Sequence, residues 1–139
     1  MVTILGLWEV LWMEAERTER RLWKQTLQGF GYDQWAMAPV QGGTFTSPVQ
    51  YPDLASMLAA YPGPKTFLIP PGRVDGSLPL CSYTHPADAI YVFGNTTENL
   101  VGHVSEFDEV VSICTPFAPE MFPSEALAIV LYDRMIKAG

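Results

Sequence analysis

Apolar residues in this chain fall into two patterns, short unbroken runs and positions spaced three or four residues apart, and the two alternate from one end to the other. The runs are Val2 to Val10, Trp35 to Val40, Lys65 to Ile69, Ile90 to Phe93 and Val110 to Ile113. Unbroken runs of this length suit strands buried on both faces. Between the first two runs, Glu14 to Gln28 is rich in strong helix formers. Its Leu22, Trp23, Thr26 and Leu27, with Phe30 beyond, sit at helical spacing, and Gly29 or Gly31 supplies the stop. Asp53 to Ala60 predicts a second helix with Asp53 as N-cap and Leu54, Met57 and Leu58 on one face; Pro62-Gly63-Pro64 ends it. Ser124 to Lys137 predicts a third. Such alternation implies a mostly parallel sheet of five to six strands with helices on both faces.

Two connections break the rhythm. Gln41 to Thr44 is a Gly-bearing loop, and Pro70 to Pro86 is a long Pro- and Gly-bearing segment without periodicity. Connections of that length inside a compact domain are usually functional or poorly ordered. No internal repeat or linker divides the chain, so its 139 residues predict one domain, 1–139, with a substantial core.

Composition narrows the class. Hydrophobic residues make up 48% and charged residues 17%, which places the chain among globular proteins. No run is long enough to span a membrane and no leader pattern opens the sequence. Cys81 and Cys114 are too few and too far apart for a disulfide framework or zinc site, so the expectation is a cytoplasmic protein with free thiols. His85 and His103 lack metal-ligand spacing and read as surface or capping residues. The net charge of −7 opposes long-range attraction to a polyanion, although Arg17, Arg20, Arg21 and Lys24 are clustered in one segment. The four tryptophans, Trp8, Trp12, Trp23 and Trp35, all lie in the N-terminal part and read as packing residues, with base stacking by Trp12 or Trp23 as the alternative.

Candidate chemistry concentrates in the last third. The run Ala89-Ile-Tyr-Val-Phe-Gly-Asn95 opens into Thr96-Thr-Glu-Asn-Leu100. The run Glu109-Val-Val-Ser-Ile-Cys-Thr-Pro116 opens into a Pro-bearing loop, and that loop feeds the helix containing Ala126-Leu-Ala-Ile-Val-Leu-Tyr132. Strand ends that open into such loops are where open α/β sheets bind ligands. This arrangement resembles the SpoU-type branch of the SPOUT methyltransferases, on Phe93, Gly94, Asn95, Leu100 and the 126–132 helix. The chain departs from that pattern at Thr96, Asn99, Met121-Phe122 and Cys114, and the register of the family's activating arginine falls near Gln25.

The resemblance implies a C-terminal trefoil knot over about 87–139, with the last helix threaded through the loop around 93–100. It also implies S-adenosylmethionine as cofactor, held by three loops: Phe93, Gly94 and Asn95; Ile113, Cys114 and Thr115; Met121, Phe122 and Pro123. Gly94 would let backbone approach the ligand, and Ile113, Met121 and Phe122 would wall it apolarly. An RNA substrate, methylated on a ribose 2′-hydroxyl, and a homodimer follow from the same resemblance. For the dimer, Leu127, Val130, Leu131 and Met135 offer an apolar helix face. Arg21, Glu98 and Ser124 are the candidate catalytic residues: Arg21 to favour a developing alkoxide, Glu98 to orient substrate, and Ser124 at the start of the last helix, where an N-cap also belongs. Metal is not expected. The alternative is a non-catalytic or repurposed knotted domain that serves as a binding or interaction protein.

Overall fold

The computed structural model describes residues 1–8, 14–32, 35–39, 49–69, 75–94, 100–106, 108–113, 116 and 123–138. Among them are seven strands, β1 (Val2–Leu7), β2 (Trp35–Ala38), β3 (Val49–Gln50), β4 (Thr66–Ile69), β5 (Leu78–Pro79), β6 (Ala89–Gly94) and β7 (Glu109–Ser112). The helices are α1 (Glu14–Gly29), α2 (Leu54–Ala60) and α3 (Pro123–Ala138), with short 3-10 turns at Leu80–Ser82 and Val101–Glu106. The strands form one sheet in the order β3-β2-β1-β6-β4-β7-β5, and every described pairing is parallel.

The expected five or six strands become seven because each sheet edge carries a two-residue strand that no apolar run announces. Pro79 is tolerated in β5 because an edge strand has a side on which no N–H is required. β5 and the turn after it also show that 75–86, within the long aperiodic connection, is structured.

Two apolar layers flank the sheet. On one face α1 and α3 bury Trp23, Leu27, Leu127, Val130 and Leu131 against Ile4, Tyr91, Phe93 and Val111. On the other, α2 buries Leu54 and Met57 against Leu5, Phe67 and Val92. The strands need apolar side chains at consecutive positions because both faces are covered. Gly6, in register with Phe93, admits no side chain easily: a Cβ there would sit 3.0 Å from the Trp8 ring. Trp8, Trp23 and Trp35 are all buried, which rules out base stacking by Trp23 and bears out packing. Trp12 lies outside the described residues.

Helix ends follow the sequence signals closely. Asp53 caps α2 by accepting from the Ser56 N–H at 2.8 Å, and that bond holds its carboxyl below the usual range. Gly31, at φ +85°, is the residue that ends α1. The Tyr32 N–H reaches the Leu27 carbonyl at 2.8 Å and the Gly31 N–H reaches Gln28 at 3.1 Å, a Schellman ending that requires the left-handed residue.

Candidate active site at the strand carboxyl ends

Because the strands are parallel, the carboxyl ends of β6 and β7 face the same way, and α3 runs back from that end across the sheet. Of the expected cofactor residues, the structure describes Phe93, Gly94, Ile113 and Pro123. Phe93 and Ile113 are buried in one cluster with Leu127 of α3, Gly94 is half-buried at the end of β6, and Pro123 is buried as the first residue of α3. Asn95, Glu98, Cys114, Thr115, Met121 and Phe122 lie outside the described residues. Phe93 and Ile113 are spent on the core, whereas half-buried Gly94 ends β6 without a side chain.

Ser124 departs from its expected place. Pro123, not Ser124, is the first helical residue, as suits a residue without an N–H to leave unpaired. Ser124 lies inside the first turn, where its own N–H has no partner within the helix. That partner is the Glu19 carboxylate on α1, which accepts from the Ser124 N–H at 3.3 Å. The Ser124 hydroxyl donates to the other Glu19 oxygen. Both side chains are buried, Glu19 to 4% exposure and Ser124 to 7%. Burial pushes the Glu19 carboxyl above the ordinary range, and the two bonds from Ser124 only partly offset it.

Glu19 belongs to the same end of the molecule as the strand termini. Trp23, one turn further along α1, packs edge-on against Phe93 with ring centroids 5.4 Å apart. In the sequence Glu19 is inconspicuous, because a glutamate amid Arg17, Arg20 and Arg21 reads as part of a solvated charged helix. The signal was its spacing: Glu19, Trp23 and Leu27 stand four residues apart, so an acid shares the apolar stripe. Arg21 lies on the exposed face of α1, with Lys24 and Gln25, so the structure does not bring it to Ser124.

The opposite end of the sheet is also polar, but it is a brace. His85, expected at the surface, has a ring only 4% exposed. Its Nε2 lies 2.6 Å from Asp133 of α3 and its Nδ1 2.6 Å from the Tyr91 hydroxyl. Arg134 donates to that hydroxyl at 3.0 Å and to the carbonyls of Pro86 and Ala87, while Lys137 donates to those of Leu80 and Tyr83. Burial pulls the His85 ring below its ordinary range, against the opposing pull of Asp133. A cavity of about 450 Å³ lined by Phe30, Tyr32, Arg134 and Met135 also lies at this end, away from the strand carboxyl termini.

Among the described residues no cluster suits a metal ion, and no helix is long and apolar enough to cross a membrane. Cys81 is a free, exposed thiol.

No family model matches the sequence, and no curated protein does. Solved structures match throughout. One, from work on the 2-OH methylation of C/U34 on tRNA, superposes with a TM-score of 0.75 at 13% identity, over 99% of this chain and 96% of the other. An rRNA methyltransferase from Sinorhizobium meliloti gives 0.72 at 10% identity, over 97% of this chain but only 56% of its own. The A. aeolicus TrmH/SpoU tRNA modifying enzyme gives 0.68 at 14% identity, over 97% of this chain and 74% of its own. At these identities the likeness speaks for the fold, and the chain has the fold of the SpoU-type SPOUT RNA methyltransferases.

Proposed function

We propose that the protein is an S-adenosylmethionine-dependent methyltransferase acting on RNA, with a ribose 2′-hydroxyl as acceptor. The observation that carries this reading is the near full-length match to a structure solved for 2-OH methylation of tRNA. Support comes from the ends of β6 and β7 and the start of α3, which stand where the three cofactor loops are expected. Phe93, Gly94, Asn95, Ile113, Cys114, Thr115, Met121, Phe122 and Pro123 are the cofactor residues of this reading. The C-terminal segment from about 87 is its knot, within a single domain working in the cytoplasm. Arg21, Glu98 and Ser124 remain its catalytic candidates.

A homodimer belongs to the same reading, through a different face from the one the sequence suggests. Leu127, Val130 and Leu131 are consumed by the core of the subunit, whereas Ile129, Tyr132, Met135 and Ile136 are 40–55% exposed. Ile129, Tyr132 and Ile136 share one face of α3.

A second reading, a knotted binding domain without catalysis, is favoured by one observation: Gln25, at the register of the activating arginine, is neutral and exposed. Calorimetric titration with S-adenosylmethionine and S-adenosylhomocysteine separates the two. Micromolar binding weakened at least tenfold by Gly94→Val supports the enzyme. No binding at millimolar ligand leaves the scaffold reading.

A further inference from the structure

Methyl transfer to a hydroxyl leaves a proton to be accounted for. The acceptor oxygen forms a bond to the methyl carbon, the carbon–sulfur bond breaks with its electron pair passing to sulfur, and the acceptor O–H proton must go to a base. The cationic candidate, Arg21, is exposed on the far side of α1, and a guanidinium donates hydrogen bonds without accepting them. The described titratable group buried beside the start of α3 is Glu19.

We propose that Glu19 and Ser124 form the proton-accepting relay of this site, Ser124 taking the acceptor proton as its own passes to the Glu19 carboxylate. The inference rests on the methyltransferase reading. The geometry supplies the second half of the relay already made: the Ser124 hydroxyl donates to one carboxylate oxygen while the Ser124 N–H fixes the other. The hydroxyl oxygen keeps lone pairs with which to accept a proton from outside the pair. Both groups are shielded from water, and burial raises the Glu19 carboxyl above its ordinary range, which makes its carboxylate a stronger base than an exposed one. In sequence Ser124 directly follows Pro123, the last residue of the third expected cofactor loop. Glu19 acts through Ser124 and is therefore a positioning residue, whose effect must appear in protonation as well as in rate.

S-adenosylmethionine carries a sulfonium charge that S-adenosylhomocysteine lacks, and a cation bound near Glu19 favours its ionised form. The test is calorimetric titration of the wild type, Glu19→Gln and Ser124→Ala with both ligands, in buffers of different ionisation enthalpy. Binding of S-adenosylmethionine to the wild type should release more protons than binding of S-adenosylhomocysteine, and Glu19→Gln should abolish the difference. With bulk tRNA and S-adenosylmethionine at saturation, both variants should bind cofactor within about threefold of wild type yet lose on the order of 100-fold in kcat. Glu19→Asp should recover part of that loss, and a thermal melt within a few degrees of wild type excludes unfolding as the cause. A proton difference that persists unchanged in Glu19→Gln overturns the relay while leaving the methyltransferase reading intact. Failure of the wild type to bind either ligand removes that reading and the relay with it.

Discussion

At its first turn α3 meets one buried carboxylate, Glu19; at its last turns Asp133, Arg134 and Lys137 mesh with the carbonyls and rings of the segment that leads into β6. Among the described residues the first contact is two bonds between buried groups. The second shares its load over many bonds, several of them partly exposed. Their responses to protonation are opposite. Glu19 is raised by burial, so the folded chain holds its proton more tightly than the unfolded chain. Its contribution is complete in acid and falls as pH rises through the raised range. His85 is lowered by burial, so the unfolded chain binds the proton more tightly. Its contribution is present above the ordinary imidazole value and disappears as pH falls through the folded one. Asp133 is lowered as well, through its bonds to Lys137 and His85, which outweigh its burial, so it too weakens the brace in acid.

The largest effect is expected in the core that both ends share. Trp23→Ala should cost about 3–5 kcal/mol in urea unfolding, because Trp23 is fully buried and packs on Trp8, Trp35 and Phe93. A loss below about 1 kcal/mol would show that the core does not couple the two ends. Tyr91→Phe removes the hydroxyl on which Arg134 and His85 converge. It should cost about 1–3 kcal/mol and speed amide exchange in the last turns of α3 while sparing the first. Equal acceleration at both ends would contradict a local brace.

Stability measured by denaturant titration between pH 4 and 8 should carry the two opposing slopes. His85→Gln should flatten the limb that falls on acidification below about pH 6.5. Glu19→Gln should flatten the limb that falls on raising the pH above about 4.5. If neither substitution changes the curve, the opposition between the ends is wrong. The smallest effect is expected at the exposed face: Tyr132→Ser should change monomer stability by no more than about 0.5 kcal/mol. Sedimentation should nevertheless show a shift from dimer to monomer; an unchanged sedimentation coefficient would move the dimer contact elsewhere.

Much of the scaffold was readable because burial on both faces writes strands as unbroken apolar runs. Asp53 and Gly31 announced helix ends through local chemistry alone, one by its capping carboxylate and the other by its tolerance of positive φ. The two edge strands escaped because two residues contribute too little pattern, and their pairing is specified by neighbours. His85 escaped for a related reason: nothing around it in sequence reveals that Asp133, forty-eight residues on, will cover it.

The sequence by itself therefore determined the alternation of strands and helices, the resemblance carried by Phe93, Gly94 and the 126–132 helix, and the acidic character of the chain. Those are properties of neighbouring residues and of sums. Only the tertiary structure decided that Leu127 and Leu131 serve the core while Tyr132 and Ile136 remain outside, and that Ser124 bonds a glutamate from α1. Such pairings join residues up to 105 positions apart, and a contact of that kind is fixed by how the helices pack across the sheet, which no local pattern encodes.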